Sequence, residues 1–300
     1  MYTLAQTALE RGETLAQTVA QFLSDTTVDY EPIYALESGW RLLPPITHPE
    51  PSRCLVTGTG LTHKASADNR AAMHKRQAAE LSDSERMYVS GVKGGHPGPG
   101  EIGVAPEWFY KGCGTNVRAH GQPLLVPAHA EDGGEEPEIA GIYFIDAEGR
   151  PRRVGMTMAN EFSDHVLEKR NYLYLAASKM RTCSLGPELV LDPDFSDVRG
   201  DVSIERDGNV LWSHPIASGE VNMSHSLANL EHHHFKYEIH RRPGDVHVHL
   251  FGADAFSFGA GIRLQDGDVM AIAFDGFGRP LRNPVRIERE PQRHIAVEPL

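Results

Sequence analysis

Cysteine is scarce in this chain of 300 residues: Cys54, Cys113 and Cys183 are the whole supply. An odd number at wide spacing argues against a disulfide framework and a zinc knuckle, and leaves buried or incidental thiols as the expectation. No apolar run approaches the roughly 18 residues of a membrane-spanning helix. The opening "MYTLAQTALERGETLAQ" lacks the basic start and continuous apolar region of a secretory leader, so a cytoplasmic location is expected. Positive charge is short as well: 29 Lys and Arg stand against 41 Asp and Glu, a formal charge of −12. That balance repels nucleic acid and anionic membrane surfaces, and an acidic substrate needs a local positive centre. No GxSxG, phosphate loop or dinucleotide fingerprint occurs, and "GTG" at 58–60 is too short to count. What is present is a chain with 40% hydrophobic and 23% charged content, ordinary for a globular protein of one large domain or one large and one small.

Leu15, Val19, Phe22 and Leu23 recur at helical spacing, after an earlier helical segment around Leu4, Ala8 and Leu9 interrupted by Gly12. The Pro-rich "LLPPITHPEPSR" then disfavours helix and marks a boundary near residue 50. A short strand, "CLVTGTGLTH", runs into a polar helical stretch, and "GVKGGHPGPGEIGVAPEWFYKG" reads as a structured loop. From about residue 122 strand signals dominate: "PLLVPA", "EIAGIYFI", "RVGMTMAN", "VSIERDGNVLW", "GDVHVHLF" and "GDVMAIAF", interrupted by one helix over roughly 163–180. No tandem repeat appears. The pattern is α+β, dominated by sheet.

"GGEEPEIAGIYFI", residues 133–145, places carboxylates ahead of an apolar strand. Side chains at i and i+2 of a strand share a face, so Glu136 and Glu138 point the same way and continue the apolar face of Ala140, Ile142 and Phe144. Two like charges about 6 Å apart repel by roughly 2 to 3 kcal/mol at an effective dielectric of about 20, before any desolvation. A hard divalent cation compensates such a pair. Glu161, in "GMTMANEFSDH", lies at a strand-to-helix junction where Asn160 or Ser163 is the expected cap, and can turn towards the pair as a third ligand. The alternative is a solvated acidic edge, with Pro137 marking the start of the strand. Glu135 is out of phase with the pair and is expected in water.

Lys179 in "SKMRTCSLGP" and Lys111 in "PEWFYKG" are the cations that would orient an anionic substrate or move protons in such a pocket; each also fits a surface or helix-terminal lysine. His63 follows a Gly-rich turn, a placement for a general acid or base or for a structural imidazole. The run His232–His234 and the pair His247 and His249 look like metal ligands, but the pair has no third partner in the sequence.

The order of these motifs resembles the fumarylacetoacetate hydrolase (FAH) family: an E-x-E pair opening a strand, an acidic residue in a "GYTxxNDxS"-like segment, and a lysine ahead of "xGP". The counterparts here are "EPEIAGIYFI", "GMTMANEFS" and "SKMRTCSLGP", extended by "PGDV" and "GFGRPLRN". With "RLLPP" the resemblance spans about residues 40–286. "TGTGLTH", "PEWFYKG", "NEFSDH", "NYLYLA" and "NLEHHHFKY" are similar to its sugar-acid branch, often named AraD1 or GguC. The resemblance implies an α+β, mainly β, FAH-type catalytic fold of the mixed β-roll kind over 51–300, behind a small helical lead-in at 1–50. It further implies Mg²⁺, with Mn²⁺ as the alternative, at Glu136, Glu138 and Glu161, Lys179 as the active-site lysine, and a homodimer.

Two departures matter. The third ligand is Glu161 where the family has Asp, and the H-x-x-E lid of hydrolytic members is absent, since His63 is followed at that spacing by Ser66. The function implied is a lyase: dehydration of a 2-keto-3-deoxy sugar acid, a small 2-oxo acid such as a 2-keto-3-deoxypentonate, to 2-oxoglutarate semialdehyde through a metal-stabilised enolate. Lys179 is expected to take the C3 proton, His63 to protonate the departing hydroxyl and Lys111 to bind substrate. The alternatives are an acylpyruvase-type C–C hydrolase releasing pyruvate and a non-catalytic sugar-acid-binding protein.

Overall fold

The computed structural model describes residues 1–73 and 81–300. Three helices open the chain, α1 (Tyr2–Arg11), α2 (Leu15–Gln21) and α3 (Tyr30–Tyr34). Thr14 and Gln17 form a capping box at the start of α2, and Gly12 ends α1 in the left-handed conformation that glycine adopts without strain. The helical stripe does not reach Phe22 and Leu23, which lie beyond α2 and are 58% and 75% exposed. Tyr2, Ala5 and Leu15 pack into the main core, so these helices share the hydrophobic interior of the rest of the chain.

Seven strands form the larger sheet: β1 (Cys54–Gly60), β2 (Glu107–Cys113), β3 (Val117–Arg118), β5 (Pro137–Ile145), β6 (Pro151–Asn160), β7 (Cys183–Leu185) and β10 (Val246–Leu250), in the order β2-β1-β10-β5-β6-β7-β3. Five more, β4 (Leu124–Val126), β8 (Val198–Arg206), β9 (Asn209–Ser218), β11 (Val269–Phe274) and β12 (Leu281–Ile287), make the second sheet in the order β4-β12-β11-β8-β9. The "RDGN" turn between β8 and β9 places Asp207 and Gly208 at φ of 51° and 77°, the two positive values that a tight hairpin of matching twist requires.

Every residue of β5 is buried. Its Ala140, Ile142 and Phe144 join Val246, Val248 and Leu250 of β10 in one core, while Ile139 packs with β6, β8 and β11 in another between the two sheets. The strand therefore has protein on both faces.

The expected polar helical stretch after β1 contains α4 (Lys64–Met73) and α5 (Asp83–Gly94), the latter opened by a Ser82–Glu85 capping box; residues 74–80 lie outside the described residues. "PEWFYKG" is a strand where a loop is expected, because alternation buries Glu107, Phe109 and Lys111 and exposes Trp108 and Tyr110. The helix expected over 163–180 is two, α6 (His165–Arg170) and α7 (Leu175–Lys179). They are separated at Asn171, which is extended and accepts the Leu173 N–H. Neither Asn160 nor Ser163 caps α6: Asp164 does, accepting the Leu167 N–H. Helix α8 (Leu227–Phe235) covers the sheet on the side of His247 and His249.

Candidate metal centre

Antiparallel pairing of β5 with β6 brings the start of one strand to the end of the other, Pro137 opposite Asn160. Two further backbone links continue past the strands: Glu161 N–H to Glu136 O, and a bridge between Gly134 and Ser163. The register thus carries Glu161 to Glu136 and Glu138, and one carboxylate oxygen from each lies within 4.8 Å of the other two. All three side chains are buried.

Phe162 makes the turn at Glu161 possible. Its φ of 54° is a left-handed conformation that a bulky residue rarely adopts, and its side chain is fully buried. The Lys111 ammonium, projecting from the inward face of β2, donates to the Phe162 carbonyl at 2.6 Å and lies 3.4 Å from Glu161 Oε1. Burial lowers Lys111 to about 8.

Lys179, at the end of α7, donates to Glu136 Oε1 at 2.8 Å, Glu161 Oε2 at 2.9 Å and Ser163 Oγ at 3.1 Å. It is also 3.2 Å from Glu168 Oε1, with its Nζ 5.0 Å from the centre of the Phe109 ring. His165 Nε2 is 2.9 Å from Glu136 Oε1, and Ser163 Oγ donates to Glu161 Oε1 at 2.8 Å.

These partners divide the charges unequally. Burial pushes Glu136 upwards, but Lys179 and His165 outweigh it and hold the carboxyl well below its usual range. Glu138 is pushed well above that range by burial and then by repulsion from Glu161 and Glu136, with the Gly252 N–H at 2.7 Å the hydrogen bond that opposes it. Glu161 is raised by burial and by Glu136. A hard divalent cation suits this donor set: three convergent carboxylates, one of them short of positive charge.

His63 is buried beyond β1. Its Nδ1 is 3.0 Å from Thr62 Oγ1, its Nε2 has no hydrogen-bond partner, and burial lowers its pKa to about 4. Among the described residues no hydrogen bond or ion pair joins it to the carboxylates. It is anchored beside them, because Thr62 donates to the Phe251 carbonyl and Gly252 holds Glu138. Ser66, at the spacing where an acidic partner would stand, donates to His63 O.

Glu135 is a correction: it is fully buried, not solvated, and accepts from both the N–H and the hydroxyl of Ser257. The alternation argument fails because β5 has no water-facing side. His247 and His249 join His234 and His240 in a packed imidazole cluster, and among the described residues only the glutamate trio converges as metal ligands. Sequence reasoning missed Ser163, His165 and Glu168. His165 and Glu168, three apart in "DHVLEK", share a helix face, and that spacing was the available signal.

No protein-family model matches the chain. A curated relative, the probable 2-keto-3-deoxyxylonate dehydratase of Haloferax volcanii, is 29% identical over 178 residues, 58% of this chain and 58% of that protein. The match thus spans little more than half the length of that relative. Among solved structures, the apo form of 2-keto-3-deoxy-D-arabinonate dehydratase superposes with a TM-score of 0.68 at 22% identity, covering 89% of this chain and 85% of that one. The same enzyme complexed with magnesium and 2,5-dioxopentanoate gives 0.64 at 21%, with the same coverage. A 5-carboxymethyl-2-hydroxymuconate delta-isomerase from Mycobacterium smegmatis gives 0.54 at 22%, covering 83% of each chain. Two β-sheets with a few helices are thus an α+β architecture this chain shares with 2-keto-3-deoxy-D-arabinonate dehydratase.

Proposed function

We propose that the protein is a Mg²⁺-dependent dehydratase of a 2-keto-3-deoxy sugar acid, converting a 2-keto-3-deoxypentonate to 2-oxoglutarate semialdehyde (2,5-dioxopentanoate). The observation that carries the reading is the buried convergence of Glu136, Glu138 and Glu161 around Lys179, in a fold shared with a dehydratase whose complex holds magnesium and that product. Glu136, Glu138 and Glu161 would hold the cation, with Mn²⁺ as the alternative ion. When bound, it supplies the positive charge that offsets an anionic 2-oxo acid and negative charge developing at its keto oxygen.

The chain's own groups move the protons. Lys179 Nζ takes the C3 proton, after passing its own to Glu168, whose Oε1 is 3.2 Å away and which also binds the Ser178 hydroxyl. The C4–oxygen bond breaks and water leaves; transfer of a proton from C5 back to C3 gives an enol that becomes the aldehyde, so water is the sole co-product. His63 serves the C4–oxygen bond. Thr62 directs its hydroxyl proton to the Phe251 carbonyl at 2.8 Å, so the imidazole N–H sits at Nδ1 and Nε2 carries the lone pair. Nε2 must therefore take up a proton before it gives one to the departing hydroxyl, and the proton that Lys179 takes from C3 replaces the one that leaves with the water. Lys111, expected to bind substrate, is held on Phe162 O and Glu161 and supports the ligand that the substrate meets.

The same reading includes a cytoplasmic homodimer, to be checked by sizing and localisation. No helix among the described residues is long and apolar enough to cross a membrane. The deciding assay offers C5 and C6 2-keto-3-deoxy acids, and their 4-oxo forms, with Mg²⁺. Semialdehyde formation is the expected result. Pyruvate release would establish the C–C hydrolase, and tight binding without turnover the sugar-acid-binding protein.

A further inference from the structure

The segment 251–258 reaches the carboxylate trio once directly and once through His165. Gly252, at φ 98°, donates its N–H to Glu138 Oε2, and a Cβ there would come to 2.0 Å from Thr62 Oγ1. Four residues on, the Phe256 ring stacks on His165 with centroids 4.6 Å apart and planes 16° from parallel, with Phe258 at 5.1 Å. His165 holds Glu136 through Nε2. Its other nitrogen packs against Gly134, where a Cβ would lie 2.4 Å from Nδ1. A single loop thus braces one ligand through a backbone N–H and another through a stacked imidazole.

Between these points Asp254 accepts the Ala217 N–H at 3.0 Å; directly after Phe256 the loop is tied down at Ser257, and what ties Ser257 is Glu135. Both oxygens of this carboxylate accept from the same residue, the N–H on Oε1 and the hydroxyl at 2.8 Å on Oε2. Glu135 is fully buried, and among the described residues no ammonium or guanidinium pairs with it. A neutral acceptor would close the same loop with less desolvation. The charge roughly doubles the strength of each bond, which matters where the loop must not shift.

We propose that Glu135 is a positioning residue: through Ser257 it locks the segment 252–258, and so holds Glu138 and Glu136 in the arrangement that receives a divalent cation. This rests on the metal reading above. Groups that orient ligands from behind change metal affinity by about 10- to 100-fold when removed.

The test is Mg²⁺ titration calorimetry on the full metal-free chain, with Tm measured in parallel, for the unmodified protein, Glu135→Gln, Ser257→Ala and Ser257→Thr. Mg²⁺ affinity should fall at least about tenfold in Glu135→Gln and Ser257→Ala. Ser257→Thr, which keeps both donors, should retain it, and a double variant combining Glu135→Gln with Ser257→Ala should lose no more than Glu135→Gln alone. If Glu135→Gln does not fold, Ser257→Ala, which keeps the N–H, decides. Unchanged Mg²⁺ affinity with only Tm lowered would make Glu135 a stabilising tie and overturn the proposal. Failure of the unmodified chain to bind Mg²⁺ would overturn the metal reading and this proposal together, an outcome distinct from the first.

Discussion

Glu138 carries the least compensated charge of the three ligands: burial and two neighbouring carboxylates raise it, against one backbone N–H and the more distant charge of Lys179. Replacing it by Gln removes that repulsion and one ligand at once. Glu138→Gln should abolish Mg²⁺ binding by calorimetry, yet make the metal-free protein about 1 to 2 kcal/mol more stable to urea, the trade between site and stability expected where like charges are forced together. Gly252→Ala should act in the opposite sense. The backbone there has a φ of 98° and the added carbon meets Thr62 Oγ1 and Thr59 O, so a loss of about 2 to 4 kcal/mol in urea unfolding is expected, together with weaker Mg²⁺ binding. At this scale the sequence was informative where local periodicity reaches. The i, i+2 rule put Glu136 and Glu138 on one face; for Glu135 the same rule assumed water on the other face, and Ser257, 122 residues away, stands there instead.

Strand β10 shows what an element conceals. Its alternation sends Val246, Val248 and Leu250 into one core and His247 and His249 to the other face, against α8 and the turn that follows it. There His234 stacks on His249 and His240 with centroids 4.3 and 4.5 Å apart, and its Nε2 is 2.9 Å from His247 Nδ1. Thr57 bonds His249 Nδ1 and the Trp108 indole N–H donates to His234 Nδ1, while Nε2 of His247 and of His249 is buried with no partner among the described residues. Burial, with repulsion from neighbouring imidazoles, lowers His247 and His249 to about 3 and His234 further. The sign follows directly: above about pH 6.5 these imidazoles are neutral in both states, whereas below it only the unfolded chain takes up their protons. Stability should therefore fall as pH drops from about 6.5 towards 3, by about 2 kcal/mol for each of His247 and His249 at pH 5. Urea unfolding at pH 7 and pH 5 measures it, and His249→Phe should flatten the dependence. Metal-like spacing in the sequence thus belongs to packing. The element that carries Lys179 was read as one helix and is two, since Asn171 satisfies Leu173 N–H with its side chain and breaks the run.

For the whole molecule, a cation that binds only the folded chain must raise its stability by mass action. At about 100 times its dissociation constant Mg²⁺ should add about 2.7 kcal/mol and raise Tm by several degrees; EDTA should reverse the shift, and a thermal melt series in Mg²⁺ checks it. What the sequence by itself determined was local or ordered along the chain: strands from period-two alternation, the β8–β9 hairpin from "RDGN", the carboxylate pair, and the succession Glu136, Glu138, Glu161, Lys179 on which the family resemblance rested. The tertiary structure alone decided which groups lose water and whom they meet. It buried Glu135 on Ser257, committed Lys111 to the strained Phe162 carbonyl, and set His63 beside the loop that holds Glu138. The physical reason is range: alternation is a property of neighbouring residues, whereas desolvation and charge pairing depend on segments brought together across the chain, Lys179 with Glu136 from 43 residues apart and Ser257 with Glu135 from 122, which no local spacing records.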